Sequence, residues 1–517
     1  MDGSYDEVFA APGQPREHAV ALAAALADLG PDALTDAGRM RDSIFMQQGI
    51  TFDAAGVGGD GVPDGPVRDR PFPLDLVPRI IPAREWRDIK RGLAQRIRAL
   101  NAFVDDVYHA REIVHAGIVP WELIVSRSAF ARAAHGIRPP GGVYCHVSGC
   151  DLVRDADGSW KVLEDNVRTP SGISYVLENR VAMTRLLPGL FGSYRVRPVD
   201  HYPALLRTAL TEVAPTSAEE EATVVVWTPG PFNSAYFEHA FLARQMGVEL
   251  VEASDLVVRD AACYIRTTNG LQRVHAIYRR IDDDFMDPLE FRPDSLLGVP
   301  GLMRAYRAGT VAIVNAVGTG VADDKAVYHH VPDMIRFYLD EEPILQNVPT
   351  YLLADPEQRA QVLERLDQLV VKPVDQSGGK GVFIGPGASD EQVARQAAEV
   401  QRRPERWIAQ ELVKLSTCPT ASPDGRLVGR HVDLRPFAVF GEDIHIVPGG
   451  LTRVALREGS MIVNSSQGGG SKDTWVLAEE DRPDGRREEQ QAAWSPPELP
   501  GLRQSGEFSG QQQQQQQ

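Results

Sequence analysis

Apolar residues recur at two different spacings along this chain, and each spacing predicts a different element. Between residues 83 and 114 they lie three and four positions apart, which is typical of a helix that buries one face. This stripe consists of Trp86, Ile89, Leu93, Ile97, Leu100 and Phe103. Further helices are predicted over residues 19–29, 34–48 and 173–187. Gly30-Pro31 should end the first of these. We assign the long helix a packing role and no chemistry.

A later stretch alternates between short apolar strands and helices. Residues 223–228 predict a buried strand, 235–245 a helix and 248–251 a second strand. Two strands joined by a helix lie parallel through a right-handed crossover. The loop over residues 229–234 is where such sheets bind ligands, but it lacks the G-x-G-x-x-G pattern, so we expect no dinucleotide there.

Another strand, over residues 275–280, runs into a set of charged residues. The set consists of Arg279, Arg280, Asp282, Asp283, Asp284 and Asp287. It could line a polar substrate pocket, or it could form a solvated strand end whose charges pair with each other. If it lines a pocket, the acidity hints at a cationic or amine-bearing acceptor.

Residues 151–172 read as two short strands joined by a tight turn at Asp157-Gly158. A closed hairpin brings Asp151, at the start of the first strand, to the end of the second strand. Glu164 and Asn166 lie there, two positions apart, and therefore point to the same face. Three oxygen ligands at one point suit Mg²⁺ bridging nucleotide phosphates, although an acidic surface hairpin would show the same pattern.

Composition narrows the class of protein. The chain has 517 residues, 43% hydrophobic and 24% charged, as expected for a globular protein of several domains. Its net charge of −17 argues against a nucleic-acid surface, while a few lysines and a metal can still bind phosphate. There is no basic segment followed by an apolar run at the N-terminus and no long apolar stretch, so we expect a cytoplasmic protein without a membrane partner.

The cysteines fit neither a disulfide framework nor a standard zinc pattern. We interpret them as buried apolar residues. They are Cys145, Cys150, Cys263 and Cys418.

The loop after the strand predicted at residues 369–372 has the composition of a phosphate-binding loop. Lys372 ends the strand, and the loop contains Gly378, Gly379, Lys380 and Gly381. Glycines let backbone N–H groups approach an anion, and lysines neutralise it. The Walker pattern G-x-x-x-x-G-K-[ST] is absent, and a flexible hairpin tip would have a similar composition.

The motifs that follow occur in an order that resembles the ATP-grasp superfamily. They are the glycine loop, a strand ending in Q-E, and then D-L-R, G-G-L-T-R and N-S-S-Q-G-G-G. Such proteins normally finish with a metal-binding aspartate and E-x-N, which here stand ahead of the rest, at Asp151 and in E-D-N. This order is similar to that of circularly permuted (type 2) ATP-grasp proteins, which are related to the glutathionylspermidine synthetase-like ligases. The resemblance covers residues 5–478.

The resemblance implies an α+β or α/β architecture, a circularly permuted ATP-grasp fold with a Rossmann-like pre-ATP-grasp accessory domain. ATP would lie between two lobes. Lys325 and Lys372 would contact its phosphates, residues 378–381 would cover them, and Gln410 and Glu411 would hold the adenine edge.

The same resemblance assigns the metal and the catalytic cations. Asp151, Glu164 and Asn166 would bind Mg²⁺, with Asp165 as a possible substitute or supporting residue. Arg435 would stabilise charge on the transferring phosphoryl group. Arg168 would do the same, unless it is a structural salt-bridge partner, and Arg453 is a weaker candidate of this kind.

We therefore expect an ATP- and Mg²⁺-dependent ligase that joins a carboxylate to an amine through an acyl phosphate, with ADP and phosphate as by-products. The alternatives are a nucleotide-binding module that has lost ligation and serves in regulation or assembly, and a small-molecule kinase. The expected partners are small molecules or peptides.

Five parts are predicted along the chain. They are an N-terminal helical segment at 1–70, the permuted metal-binding part at 71–196, the strand-helix-strand domain at 197–305, the nucleotide-binding part at 306–480 and a glutamine-rich tail at 481–517. The tail cannot bury enough apolar surface to order itself.

Overall fold

Helices and strands of this chain were assigned in a computed structural model, which describes residues 3–52, 70–127, 129–216, 221–374, 381–422, 425–456, 463 and 469–479. The helices are α1 Val20–Gln47, α2 Ala83–Tyr108, α3 Glu112–His115, α4 Trp121–Val125, α5 Ile173–Leu186, α6 Pro188–Gly192, α7 Tyr202–Glu212, α8 Tyr236–Met246, α9 Leu302–Arg307, α10 Lys325–Tyr328, α11 Val331–Leu339, α12 Pro356–Glu364 and α13 Asp390–Arg402.

The strands follow the same order along the chain. They are β1 Phe9–Ala11, β2 Gln14–Pro15, β3 Thr51–Phe52, β4 Arg70–Pro71, β5 Leu74–Ile81, β6 Val147–Gly149, β7 Asp151–Arg154, β8 Trp160–Glu164, β9 Val224–Trp227, β10 Glu249–Val251, β11 Leu256–Arg259, β12 Ala262–Thr267, β13 Gly270–Arg273, β14 Ala276–Arg279, β15 Ala312–Val314, β16 Gln346–Asn347, β17 Thr350–Leu352, β18 Leu369–Pro373, β19 Phe383–Ile384, β20 Trp407–Glu411, β21 Thr417–Ala421, β22 Leu427–Arg435, β23 Phe437–Phe440, β24 Ile444–Ile446, β25 Leu451–Val454 and β26 Gly470–Val476.

Three sheets position the candidate site. The largest has the order β16-β8-β7-β22-β25-β26-β5, with β21 beside β22. An antiparallel sheet has the order β17-β20-β18-β19, and a parallel sheet the order β10-β9-β14-β15. Residues up to Ala478 form one compact unit. The division of this unit into four parts stays a prediction, and the tail at 481–517 lies outside the described residues.

The predicted hairpin is confirmed as β7 and β8. The two strands pair antiparallel, with Asp151 opposite Glu164. Gly158 turns the chain at φ +85°, a conformation that other residues adopt only with strain. The pairing places the two carboxylates at one end of the hairpin, and β22 continues the sheet beside β7.

The strand-helix-strand unit is also confirmed. β9 and β10 are parallel neighbours joined by α8, and β14 and β15 extend the sheet in parallel on the other side of β9. Parallel sheets place the carboxyl ends of their strands at one edge. The aspartates after β14 and the loop after β9 therefore lie along one edge.

The break predicted at Gly30-Pro31 is present as a kink. α1 runs through it, but Gly30 leaves the helical conformation at φ 70° and ψ 169°. Proline cannot continue the helical hydrogen bonds of the preceding turn, so two helical segments meet at this point.

The helix predicted over residues 83–114 was too long. α2 ends at Tyr108, and α3 begins only at Glu112. The carboxylate of Asp106 accepts hydrogen bonds from the backbone N–H groups of Glu112 and Ile113 at 2.7 and 2.9 Å. This side chain therefore starts a new helix where the apolar spacing alone predicts continuation.

The apolar pattern also predicts strands over residues 143–147 and 432–440, and both need correction. The apolar run at 432–440 is divided between β22 and β23, which belong to different sheets, because Pro436 between them lacks an N–H group for a ladder. The strand predicted at 143–147 begins only at Val147. The backbone N–H of Tyr144 donates instead to Oδ1 of Asn101 at 2.7 Å, which holds this segment to α2.

The four cysteines are free and buried, as interpreted from their spacing. The apolar stripe of α2 is buried along its whole length. None of the helices in the described part of the chain is long and apolar enough to cross a lipid bilayer.

Candidate active site

A cavity of about 830 Å³ lies between the hairpin end, the parallel sheet and the start of α10. Its lining comes mainly from residues 164–172, 282–285 and 320–325. Five of the predicted site residues line it: Glu164, Asn166, Arg168, Lys325 and Arg435. The fold thus brings together residues that are far apart in sequence, and Arg435 contacts Asp151 across 284 positions.

Asp151 is buried and does not line the cavity, but it pairs with two arginines that do. Arg435 donates to both carboxylate oxygens of Asp151, at 2.5 and 2.8 Å, and Nη2 of Arg453 lies 2.6 Å from Oδ2. Arg453 also pairs with Asp433 in β22. Burial would raise the pKa of Asp151, but the two guanidinium groups outweigh it and hold this pKa well below its usual range.

Two lysines lie near Glu164, the other carboxylate at this end of the hairpin. Nζ of Lys325 lies 3.7 Å from Glu164, and Nη2 of Arg435 lies 3.9 Å from the other oxygen of Glu164. Loss of hydration lowers the pKa of Lys372, Glu164 opposes this shift and Lys325 adds to it, and the resulting pKa is about 8. Lys325, Arg435 and Arg453 supply positive charge that suits a polyphosphate ligand, within a lining whose nine carboxylates outnumber its six cationic side chains.

Glu164 and Asn166 at the end of the hairpin offer oxygen atoms that suit Mg²⁺. Glu164 is partly exposed and Asn166 lines the cavity, with its Nδ2 donating to the carbonyl of Gly149 at 2.9 Å. Bonding through Nδ2 leaves the amide oxygen as the metal-binding atom, so these two residues fit a hard cation. Asp151 is anionic, but both of its oxygens face arginines here, and its place as a third ligand stays a prediction. In the described part of the chain, no three His, Cys, Asp or Glu side chains form a metal-binding group.

Asp165 has a different partner. Its carboxylate receives two hydrogen bonds from Arg96 of α2, at 2.7 and 2.6 Å, and both side chains are almost fully buried. This bidentate pair ties the end of the hairpin to α2. The geometry gives Asp165 a supporting role beside the site.

The side chain of Arg168 lines the cavity, and two contacts hold it in position. Its Nε donates to Oδ2 of Asp323 at 2.8 Å, and its aliphatic carbons pass so close to Gly320 that an added Cβ there would lie 2.8 Å from Cδ. Asp323 raises the pKa of Arg168, which stays charged. Arg168 is therefore salt-bridged and also lines the cavity, while its catalytic role stays a prediction.

Gln410 and Glu411 differ in their surroundings. They are adjacent in β20, so their side chains point to opposite faces. Nε2 of Gln410 donates to Thr350, while its buried Oε1 accepts no hydrogen bond from any described residue. Glu411 accepts from the hydroxyl of Tyr351 and pairs with Arg365. Oε1 of Gln410 and Oε2 of Glu411 both lack a hydrogen bond from a described residue, and only the Gln410 side chain is buried. Neither residue lines the cavity.

Most of the predicted phosphate loop lies outside the described residues. Gly378, Gly379 and Lys380 lie outside the described residues, and Gly381, the first residue after them, has a positive φ of 70°. Their assignment to ATP stays a prediction.

The aspartates after β14 serve two purposes. Asp282, Asp283 and Asp284 line the cavity. Asp283 also pairs with Arg279 at 2.8 Å. Asp287 does not line it, since its oxygens accept from the backbone N–H groups of Gly301 and Met303 at the start of α9. The polar-pocket interpretation thus fits three of the four, and self-pairing fits Asp283.

The sequence did not reveal two supporting ion pairs. Asp323 orients Arg168, and the D-D-K motif that contains it was interpreted only for its lysine. Glu238 of α8 accepts from the N–H groups of Gly172 and Ser174 at 2.7 and 3.1 Å and pairs with Arg280. A polar residue on the buried face of α8 was the available signal for Glu238.

A family model for circularly permuted ATP-grasp type 2 proteins matches residues 78–455. The chain belongs to this family. Its architecture mixes helices and sheets in the permuted ATP-grasp order, which explains why the E-D-N motif stands ahead of the nucleotide-binding part. A solved structure, the apo form of a glutathione synthetase-like effector from Globodera pallida, is similar in fold with a TM-score of 0.57. It is 11% identical and covers 86% of this chain and 98% of its own.

Relatives of higher sequence identity match most of the chain. An uncharacterised protein of Synechocystis sp. is 53% identical over 92% of this chain and 97% of its own length. A Frankia alni protein named "Putative glutamate--cysteine ligase 2-3" is 47% identical over 91% of this chain. The match spans 54% of that longer protein, so the name describes a chain of about twice this extent.

Proposed function

We propose that this protein is an ATP- and Mg²⁺-dependent ligase that joins a carboxylate to an amine through an acyl phosphate. The observation that carries the proposal is that Glu164 and Asn166, at the end of the hairpin, share one cavity with Lys325 and Arg435 from distant parts of the chain. Family membership and the ligase name of the Frankia relative support it.

Each charged group has a place in the proposed reaction. Lys325 and Lys372 bind the phosphates, and Arg435 stabilises the charge that develops on the transferring phosphoryl group. A substrate carboxylate oxygen attacks the γ-phosphorus, and ADP leaves. An amine nitrogen then attacks the acyl carbon, phosphate leaves and the amine loses a proton. Mg²⁺ held at Glu164 and Asn166 would neutralise phosphate charge.

Nucleotide selection would rest on Gln410. Its buried Oε1 is an acceptor without a described partner, and an adenine amino group would satisfy it. Guanine carries a carbonyl at that position and would leave two acceptors facing each other. The proposal therefore includes a preference for ATP over GTP.

ADP release separates this function from its two alternatives. Purified protein is incubated with Mg·ATP and candidate carboxylates, with and without amines. The ligase turns over, giving ADP and an amide product, only when both substrates are present, and it releases at most a stoichiometric amount of ADP with the carboxylate alone. A kinase gives ADP and a phosphorylated product without an amine. Binding of ATP with no ADP under any condition would contradict the ligase proposal.

The lowered pKa of Lys372 predicts a pH dependence of nucleotide affinity. Because this pKa is about 8, Lys372 is protonated below that pH and loses its charge above it. Affinity for a non-hydrolysable ATP analogue should therefore fall by about tenfold between pH 7 and 9.5, a loss of one charge-assisted contact. Isothermal titration calorimetry in two buffers of different ionisation enthalpy should show proton uptake on binding near pH 8.5.

A lysine-to-arginine exchange is the control for this measurement. Lys372→Arg keeps the charge at high pH, so its proton uptake should vanish and its affinity should vary little over the same range. Equal pH profiles for the two proteins would show that Lys372 does not contact the nucleotide.

A further inference from the structure

One long ion pair in the cavity is more open to solvent than the pairs that Glu164 makes with Lys325 and Arg435. Nη1 of Arg168 lies 3.7 Å from Oδ1 of Asp282, with 35% and 55% of the two side chains exposed. The neighbouring pair of Arg279 and Asp283 is 2.8 Å long and nearly buried. A partly exposed pair at this distance contributes little to stability. A ligand can therefore separate Arg168 from Asp282 at small cost.

Arg168 also bonds to a second carboxylate, through a different nitrogen of its guanidinium group. Nε donates to Asp323, and Gly320 makes room for the aliphatic stem. A guanidinium group has five N–H donors in one plane, so fixing Nε leaves the outer nitrogens for a second partner. Arg168 is in this way oriented as a receptor for a carboxylate in the cavity.

We propose that Arg168 and Asp282 bind the zwitterionic head of an α-amino acid. The substrate carboxylate pairs with Arg168, and its ammonium group pairs with Asp282. Asp284, which also lines the cavity, adds negative charge on the ammonium side. The proposal names a substrate class for the ligase and so rests on the proposed function, but the binding itself needs no ATP.

Charge complementarity favours a zwitterion over a ligand of one sign. A simple carboxylate would leave Asp282 facing a second anion. A simple amine would take Asp282 from Arg168, whose charge Asp323 still balances, but would offer no acceptor to its outer nitrogens. Phe72, Tyr175 and Phe285 also line the cavity and offer apolar surface for an amino-acid side chain. The stacking of Phe72 on Tyr175, with centroids 3.8 Å apart, makes part of this surface rigid.

Binding of chemically matched ligands tests the proposal. L-Alanine, L-glutamate and L-phenylalanine are titrated calorimetrically without nucleotide, together with their N-acetyl and α-amide derivatives. The N-acetyl compounds lack the ammonium group, and the amides lack the α-carboxylate. At least one free amino acid should bind, and each of its derivatives should bind about tenfold more weakly or worse, the loss of one charged hydrogen bond.

Two variants should then respond to different derivatives. Asp282→Asn should weaken the free amino acid about tenfold and leave the N-acetyl compound as weak as before. Arg168→Gln should weaken the free amino acid by a similar factor and leave the amide as weak as before, while Arg168→Lys restores part of the affinity. The control is Asp294→Asn, in an exposed pair with Arg292 that does not line the cavity. It should bind like the parent protein.

Failure of this inference differs from failure of the proposed function. If Mg·AMP-PNP binds but free and derivatised amino acids bind equally, or none binds, the zwitterion site is overturned and the ligase proposal stands. If Mg·AMP-PNP itself does not bind, the proposed function is overturned. Melting temperatures within a few degrees of the parent protein show that the variants are folded.

Discussion

Glu164→Ala should reduce ligase turnover by at least about 10²-fold, the usual cost of removing one group that stabilises a phosphoryl-transfer transition state. Glu164 is the hairpin carboxylate that lines the cavity, and it lies between Lys325 and Arg435. Without it, the cations remain and still attract the phosphates, while Mg²⁺ loses a ligand. Much of the affinity for ATP should therefore survive, and kcat should carry the effect.

Asp157→Ala is the matched control for this experiment. Asp157 lies at the exposed turn of the same hairpin, where it accepts hydrogen bonds from Ser159. The substitution removes a carboxylate, as Glu164→Ala does, but at a residue that does not line the cavity. Turnover should therefore equal that of the parent protein. Both variants are compared by ADP release and by calorimetric titration with AMP-PNP. Unchanged turnover in Glu164→Ala would show that the metal site lies elsewhere.

Arg453→Met should lower the free energy of unfolding by about 3–5 kcal/mol, the cost of leaving buried charges without their partner. Arg453 pairs with both Asp151 and Asp433, and all three side chains are at most 7% exposed. Methionine has a similar length but no charge. The two aspartates would then share Arg435 as their remaining cation in this cluster.

The loss should depend on pH, and its sign follows from the stranded carboxylates. Without Arg453, the pKa values of Asp151 and Asp433 rise in the folded state above those of the unfolded chain. The folded variant then binds more protons, so its stability falls as pH rises through this range. Urea unfolding at pH 5 and pH 8 should show the larger deficit at pH 8.

An exposed arginine provides the comparison for Arg453. Arg292→Met removes a surface pair with Asp294, whose side chains are 51% and 69% exposed, and should leave the free energy of unfolding nearly unchanged. If Arg453→Met costs no more than this, the cluster around Asp151 is not a structural centre of the site.

Sequence reasoning worked best where local chemistry controls local structure. The β7–β8 hairpin follows from an Asp-Gly turn between apolar pairs, and β20 ends where the pattern predicts, at Glu411. It failed where a side chain or a proline interrupts an apolar run. Asp106 ends α2 early by capping α3, and Pro436 separates β22 from β23. Apolar spacing carries no information about either event.

Glu164, Asn166, Lys325 and Arg435 line one cavity, but the roles of the predicted site residues stay predictions, and only part of their contacts could be predicted. The E-D-N motif, Lys325, Lys372 and Arg435 were recognised through the order of motifs. The pairing of Arg168 with Asp323, and of Arg453 with Asp151 and Asp433, could not be. Such contacts depend on how separate sheets pack, since the partners are more than a hundred positions apart in two of these pairs.

The sequence by itself determined the permuted order of the ATP-grasp motifs, the hairpin that leads to Glu164 and Asn166, and the types of charge at the candidate site. These follow from residue type and local spacing, which fix strands and turns over short ranges. Only the tertiary structure decided that Asp151 is enclosed by two arginines, that Asp165 is held by Arg96, and that Arg168 and Asp282 form an open pair in the cavity. The physical reason is that the burial and pairing of a charge depend on neighbours contributed by other elements, and packing alone selects those neighbours.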